Sequence, residues 1–280
     1  MKTPPRLLGR SIEVHHPEIQ RGRIRHAVFD FDGTLSLLRA GWQEVMIEHA
    51  VEELSRTPAA PPPEGWRQFS REYITRLTGE QTIYQMLHLE AELRRLGGSP
   101  QPAADYKWEY LRRLGERIRD RLEALRQHRE SPAAYLVPGS IELLEDLSRR
   151  GVTCDLASGT DHPFVVEEAG LLGVAPYFGG RIYGAQEDYK SSTKKLLIAR
   201  IIAENNLHGA ELVAFGDGSV EIANTKEVGG LAVGAATCEE GGQEWDEWKK
   251  GRLLEVGADL LVPHWEEAEL LLAYLFGEVD

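Results

Sequence analysis

Two aspartates, Asp30 and Asp32, are separated by one residue in the segment FDFDGTLS, residues 29–36. The residues before them, 25–29, are predicted to form a buried strand. Side chains alternate along a strand, so Asp30 and Asp32 should project to the same side. Two carboxylates this close both ionise at low cost only when a cation lies between them; otherwise one keeps its proton. The pair therefore predicts a divalent metal site that faces a cavity.

This pair of acids fits phosphoryl transfer. A carboxylate can attack phosphorus once a metal orients its charge, and Asp30 is the candidate nucleophile. Asp32 can protonate a departing alkoxide and then accept a proton from an attacking water. Gly33 and Thr34 supply a turn whose backbone N–H groups can bind a phosphate.

A serine and a glycine follow a second apolar segment. Residues 152–157 are predicted to form a strand that ends in Ser158 and Gly159. The hydroxyl and N–H groups of Ser158 then lie at the carboxyl end of a strand. This position is typical of a phosphate-binding residue, although a turn with no chemical role has the same letters.

A lysine begins the next amphipathic segment, residues 193–206, which is predicted to be a helix with Leu196 on its apolar side. Cations at a helix N-terminus oppose the macrodipole, so Lys194 in the first turn indicates a nearby anion or the acids of a metal site. Lys190, four residues earlier, is the competing candidate. Both lysines are also compatible with an exposed surface position.

Two further acids follow the predicted strand 212–215. Asp217 lies at the end of that strand, and Glu221 lies near the start of the next short helix. Glu221 is therefore a candidate metal ligand, either directly or through water. Ligands of parallel α/β sheets gather at the carboxyl ends of strands, so these groups are expected to meet Asp30 and Asp32.

The order of these four motifs resembles the haloacid dehalogenase-like hydrolase superfamily, in its capped phosphatase and phosphomutase branch. The resemblance implies that Asp30 is the nucleophile and Asp32 the general acid and base. It also implies Mg²⁺ bound by Asp30, by the main-chain carbonyl of Asp32 and by Asp217. The second acid of the last motif is usually Asp, whereas this chain has Glu221. Halide removal is disfavoured, since the dehalogenases lack an acid at the position of Asp32.

The chain between the first two motifs is too long for a simple crossover. Residues 37–136 are predicted to form a helical cap domain, with breaks at 58–63 and 97–102. Residues 1–36 and 137–280 should form the catalytic core. Strands alternating with helices predict an α/β fold with a doubly wound, mostly parallel sheet.

Two features near the cap are candidate substrate contacts. Residues 76–82 resemble the specificity loop of such caps, and Thr78, Gly79 and Gln81 are candidate hydrogen-bonding groups. A connector between two helices, capped by Thr78, explains the same letters. Arg39 either pairs with an anionic part of the substrate or is a solvated linker residue.

Composition limits the partners. The chain has 45 acidic and 32 basic residues, a net charge of −13, which disfavours nucleic acid. Its two cysteines give neither a disulfide framework nor a zinc site. It shows no signal peptide and no bilayer-spanning segment, so a cytoplasmic protein with no membrane partner is predicted. Residues 239–250 are predicted to add a surface helix, and the first two dozen residues to follow the sheet edge or form a strand.

These observations predict a Mg²⁺-dependent phosphatase that acts on a small phosphorylated metabolite through an aspartyl-phosphate on Asp30. A sugar phosphomutase that uses the same phosphoenzyme is the alternative. A phosphate-sensing module that no longer turns over is a third hypothesis, which the intact set of motif residues disfavours.

Overall fold

A single mixed sheet forms the centre of the molecule. The computed structural model describes residues 5–58, 63–240 and 244–280. Its strands are β1 (Arg6–Leu8), β2 (Ile12–Val14), β3 (His26–Phe29), β4 (Thr153–Asp161), β5 (Ile182–Ala185), β6 (Leu212–Gly216), β7 (Leu231–Ala235) and β8 (Leu260–Val262). They are arranged in the order β1-β2-β8-β7-β6-β3-β4-β5.

The sheet is parallel from β5 across to β8. Every residue of β3, β6 and β7 is buried, as expected for central strands covered by helices on both faces. The predicted α/β fold with a mostly parallel sheet is confirmed. The N-terminal segment adds an antiparallel hairpin, in which β1 pairs with β2 and β2 pairs with β8.

Ten α-helices are present among the described residues. They are α1 (Trp42–Ser55), α2 (Pro63–Arg76), α3 (Thr82–Arg95), α4 (Ala103–Arg126), α5 (Ser140–Arg149), α6 (His162–Leu171), α7 (Lys194–Asn205), α8 (Ser219–Glu227), α9 (Glu247–Glu255) and α10 (Ala268–Leu275). The side chain of Thr193 accepts a hydrogen bond from the Leu196 N–H and caps α7, and Asn206 ends that helix with a positive φ of 47°.

Helices α1 to α4 enclose a hydrophobic cluster of their own, which extends from Val45 to Ile118. A second, larger cluster surrounds the sheet and includes Leu38, Leu125 and Leu136. These three leucines lie inside the predicted cap limits of 37–136 but pack with the sheet. The domain limits themselves stay a prediction.

Some local predictions were wrong. Strand β4 continues to Asp161, three residues past Ser158. Its register with β5 shifts after Ala157, and Asp161 then pairs with Ala185 of β5. In α7 the buried side chains are those of Lys194, Ile198 and Ile201, and Leu196 is half exposed.

The predicted surface helix at 239–250 begins later than expected. Helix α9 starts at Glu247, because the Asp246 side chain accepts hydrogen bonds from the N–H groups of Trp248 and Lys249. Residues 241–243 of that prediction lie outside the described residues, as do residues 59–62 of the predicted break at 58–63. No helix among the described residues is long and apolar enough to cross a membrane.

Candidate active site

A small cavity of about 70 Å³, partly open to solvent, lies where the carboxyl ends of the central strands meet the helices α1 to α4. Its sheet side includes Asp30, Asp32, Ser158, Thr160, Lys194 and Asp217. Its cap side includes Trp42, Met46, Gly79, Glu80, Gln85 and Tyr110. The structure thus places most of the motif residues predicted from the sequence, although not Gly33, Thr34 or Glu221, around one space, because β3, β4 and β6 are adjacent and parallel.

Asp30 and Lys194 form a buried ion pair. Lys194 Nζ lies 2.8 Å from Asp30 Oδ1 and 3.0 Å from Glu221 Oε2. Burial raises the pKa of Asp30 to about 6 and also raises the pKa of Glu221, while Lys194 opposes both shifts. Burial alone would lower the pKa of Lys194, but the two carboxylates outweigh it and raise that pKa.

Asp217 has a second lysine as its partner. Lys249 Nζ lies 2.7 Å from Asp217 Oδ2 and 2.9 Å from Glu239 Oε1; Lys249 and Asp217 are buried, and Glu239 is partly exposed. Burial raises the pKa of Asp217 to about 6, and Lys249 opposes the shift. Sequence reasoning missed Lys249, which lies in the first turn of α9. A lysine at that position opposes the helix dipole, the signal that also marks Lys194.

Three buried carboxylates are grouped as a metal site requires. Asp30, Asp217 and Glu221 each offer one oxygen, and these oxygens lie within 4.8 Å of one another. Carboxylate oxygens are the donors that Mg²⁺ prefers. With Glu239, four carboxylates surround the two ammonium groups of Lys194 and Lys249, which leaves two negative charges when all are ionised. The residues therefore fit a divalent cation.

The Asp32 side chain lies outside that group of three. Its Oδ2 accepts a hydrogen bond of 2.8 Å from Thr160 Oγ1, and its Oδ1 lies 3.9 Å from Arg39 Nε. Burial raises the pKa of Asp32 to about 7, although Arg39 works against this shift. A carboxyl group with such a pKa can both donate and accept a proton near neutral pH.

Arg39 is buried rather than solvated, so the reading of this residue as a solvated linker was wrong. Its guanidinium donates three hydrogen bonds of 2.6 to 3.1 Å to the carboxylate of Glu168 on α6. This pair joins the start of the cap segment to the core. Because Glu168 occupies the guanidinium, Arg39 faces the cavity as a neutralised group beside Asp32.

The loop between α2 and α3 covers the cavity on its cap side. A Cβ atom added to Gly159 of β4 would lie 2.5 Å from the Glu80 carbonyl oxygen, and one added to Gly218 would lie 3.0 Å from Gly79 Cα. The first distance is shorter than a Cβ atom allows, and the second is tighter than most Cβ contacts. Glycines therefore permit backbone contact between this loop and the ends of two strands, and the structure shows the covered state of the site.

Residues 24–229 match the sequence profile of the family described as haloacid dehalogenase-like hydrolase. The chain is a haloacid dehalogenase-like hydrolase. Comparison with curated protein sequences gives no match. The family match confirms the prediction of an enzyme of the hydrolase class.

Solved structures share the fold of this hydrolase. A predicted phosphoglycolate phosphatase from Haemophilus somnus is 14% identical, with a TM-score of 0.58, and covers 89% of this chain and 98% of its own. A β-phosphoglucomutase from Clostridium difficile is 14% identical, with a TM-score of 0.59, over 91% and 98%. A family hydrolase from Deinococcus radiodurans with bound phosphate and sodium is 16% identical, with a TM-score of 0.54, over 92% and 99%.

In this haloacid dehalogenase-like hydrolase, some predicted substrate contacts lie elsewhere. Gly33 and Thr34 do not line the cavity, and their N–H groups donate to the carbonyl oxygens of Ser36 and Phe31 inside the turn. The Gly33 backbone has a φ of 76°, and a Cβ there would collide with Asp217. The two residues shape the turn that brings Asp32 to the cavity rather than bind phosphate through their N–H groups.

The loop between α2 and α3, residues 77–81, is called the cap loop, and its predicted substrate contacts have different positions. Thr78 and Gly79 line the cavity. Gln81 does not: its Nε2 donates to the carbonyl oxygens of Tyr189 and Ser192, at 3.1 and 3.0 Å. Gln81 also takes the N-cap position of α3, so the alternative that Thr78 caps this helix was wrong.

The two candidate lysines have different environments. Lys194 is buried in the cavity wall, whereas Lys190 is exposed and outside that wall. Ser158 and Gly159 both line the cavity, and Ser158 Oγ accepts a hydrogen bond of 3.0 Å from the Thr160 N–H. The geometry thus favours Lys194 as the cation that meets a bound phosphoryl group.

Proposed function

We propose that this hydrolase is a Mg²⁺-dependent phosphatase that acts on a small phosphorylated metabolite through an aspartyl-phosphate on Asp30. One observation carries the proposal: Asp30 and Asp32 line the same cavity, one paired with a buried lysine and the other free of the three-carboxylate group. This arrangement separates a nucleophile from a proton donor within one segment of three residues.

The chemistry divides into two halves. In the first half, an Asp30 oxygen forms a bond to phosphorus while the bond to the leaving oxygen breaks, and Asp32 gives its proton to that oxygen. Burial holds the pKa of Asp32 at about 7, so a large share of this carboxyl group is protonated near neutral pH. In the second half, water attacks phosphorus, Asp32 accepts its proton, and inorganic phosphate leaves Asp30 free.

Cationic groups around Asp30 offset the charge of the phosphoryl oxygens. Lys194 lies 2.8 Å from the proposed nucleophile and is oriented by Glu221. Asp30, Asp217 and Glu221 are the residues that would hold Mg²⁺. When bound, Mg²⁺ would neutralise phosphoryl charge and orient the Asp30 carboxylate. Ser158, at the cavity wall, supplies a hydroxyl group for a phosphoryl oxygen.

The test is Mg²⁺-dependent phosphate release from p-nitrophenyl phosphate and from a panel of sugar and acid phosphates. Asp30→Asn should lose activity by at least about a thousandfold, because an amide is not a nucleophile toward phosphorus. Asp32→Ala should lose turnover yet keep Mg²⁺ affinity, since its side chain lies outside the three-carboxylate group. The exposed Asp105→Asn serves as the control and should retain full activity.

Two results would contradict the proposal: phosphate release by Asp30→Asn at the wild-type rate, or full activity in excess chelator. The same assay addresses the phosphomutase alternative. Isomerised sugar phosphate without net phosphate release would favour that alternative over hydrolysis.

A further inference from the structure

The residues on the cap side of the cavity are those that the leaving group of a substrate would contact. When a phosphoryl group meets Asp30 and Lys194, the rest of the substrate extends toward the α1 to α4 side. That side offers an apolar wall, formed by Trp42 and Met46 of α1, and polar groups on the loop before α3 and on α3 itself. This inference rests on the proposed phosphatase activity and concerns its substrate class.

The charge on that side is negative. Among the described residues that line the cavity, Glu80 is the charged side chain of the α2 to α3 loop, and burial raises its pKa while Lys194 lowers it. The basic lining residues are Arg39 and Lys194, and each is already paired with carboxylates. An anionic leaving group would therefore meet a carboxylate without finding a free cation.

A buried hydrogen-bond acceptor faces the same space. Gln85 of α3 is 3% exposed, and its Nε2 donates a 3.0 Å hydrogen bond to the Leu77 carbonyl oxygen. Its Oε1 is buried and has no hydrogen-bond partner within the described parts of the chain. Buried acceptors are rarely left unpaired, so the amide oxygen is suited to a donor that arrives with the substrate.

We propose that the substrate is a phosphomonoester whose leaving group carries a hydrogen-bond donor, a hydroxyl or an ammonium group, and no negative charge. Gln85 Oε1 accepts from the donor, and Glu80 accepts a second hydrogen bond or pairs with an ammonium group. The carbon skeleton packs on Trp42 and Met46. Esters of carboxylate-bearing alcohols are disfavoured because two acceptors face them.

The test uses four two-carbon phosphomonoesters that differ in one group. They are O-phosphoethanolamine, ethylene glycol monophosphate, ethyl phosphate and 2-phosphoglycolate. We expect kcat/KM of at least one donor-bearing ester to exceed that of ethyl phosphate by about tenfold, the effect of one typical hydrogen bond. We expect 2-phosphoglycolate to fall below the better donor-bearing ester by roughly a hundredfold, through like-charge repulsion.

Two variants test whether Gln85 and Glu80 cause the preference among these esters. Gln85→Leu should reduce kcat/KM of the preferred ester to about that of ethyl phosphate, and the thermal unfolding temperature of the variant serves as the control for folding. Glu80→Gln should raise kcat/KM for 2-phosphoglycolate. If the donor is an ammonium group, the same variant should lower kcat/KM for O-phosphoethanolamine about tenfold. If the donor is a hydroxyl group, kcat/KM for ethylene glycol monophosphate should stay within a few-fold of the wild-type value.

The outcomes separate this inference from the proposed activity. Turnover of 2-phosphoglycolate equal to or faster than the donor-bearing esters would overturn the substrate class while leaving the phosphatase intact. Should no ester release phosphate, calorimetric binding of the four esters to Asp30→Asn with Mg²⁺ decides the matter. The same order of affinity would support the substrate class, and a reversed or flat order would overturn it.

Discussion

At the scale of residues, the site is organised by two buried lysines. Each ammonium group lies between two carboxylates, Lys194 between Asp30 and Glu221, and Lys249 between Asp217 and Glu239. Burial is costly for each charge alone, so these pairs depend on one another. The excess of negative charge gives a physical reason for the site to bind a divalent cation.

Replacement of Lys249 tests this charge arrangement. Lys249→Met should lower the free energy of unfolding in EDTA by about 3 kcal/mol, because Asp217 and Glu239 lose their buried partner. Mg²⁺ should then restore more stability in the variant than in the wild type, since the positive charge that competes with the ion is gone. Thermal and urea unfolding with and without Mg²⁺ measure both effects.

The control for that variant is Lys195→Met. Lys195 pairs with Glu227 on the surface, where both side chains are largely exposed, so its loss should cost less than about 1 kcal/mol. Equal stability loss in the two variants, or a Mg²⁺ response no larger for Lys249→Met than for the wild type, would contradict the role of Lys249.

The motif residues were predictable because each has a local signal, a strand end or a first helical turn. Lys249 was not predicted, because the expected helix at 239–250 placed it in a last turn, where a cation suits the helix dipole. The Arg39–Glu168 pair was not predicted, since its two residues lie 129 positions apart in the chain. Gln85 carries no sequence signal either: a glutamine on a helix is usually solvated, and only packing shows that this one is buried.

At the scale of elements, the contact between the cap loop and the strands depends on glycine residues, which have no side chain. Gly159 lies against the Glu80 carbonyl, and Gly79 lies against Gly218. The Gln81 amide ties the same loop to the carbonyl oxygens of Tyr189 and Ser192, just before α7 and its Lys194. Closure of the loop is thereby linked to the segment that positions the lysine.

Gly159→Ala should hold the cap loop away from β4. We expect kcat/KM to fall by about tenfold to a hundredfold, because displacement of about 1 Å at a covered site has effects of this size. Stability should change little, since a raised loop relieves the collision. Gly170→Ala in α6 is the control: nothing lies near its Cβ position, so activity should persist and stability should rise slightly.

Activity of Gly159→Ala within twofold of the wild type would show that the covered state is not needed for turnover. Unfolding of that variant at a much lower temperature would show instead that Gly159 serves the core.

Elements with clear caps or patterns were predicted to within a few residues. Helix α7 begins after Thr193 and ends before its C-cap residue Asn206, close to the predicted limits of 193–206. For the first two dozen residues the sequence predicted either a path along the sheet edge or a strand, and the structure has the paired strands β1 and β2 there. Strand β5 was not predicted, since a segment of four residues carries no readable alternation. The place of these three strands depends on long-range pairing with the sheet.

At the scale of the whole molecule, a helical unit with its own apolar cluster lies over the strand ends of a mostly parallel sheet. The fold class followed from alternating strand and helix patterns. How the helices sit on the sheet did not, because that placement depends on surface contacts between residues far apart in the chain. The cavity and its leaving-group side belong to that interface.

The most direct test of covalent catalysis at Asp30 is rapid quenching with a ³²P-labelled phosphomonoester and Mg²⁺, followed by peptide mapping. We expect an acid-stable, hydroxylamine-sensitive label on the peptide that contains Asp30, formed at least as fast as turnover and absent in Asp30→Asn. Phosphate release at the normal rate with no label on Asp30, or a label on Ser158 instead, would contradict this mechanism.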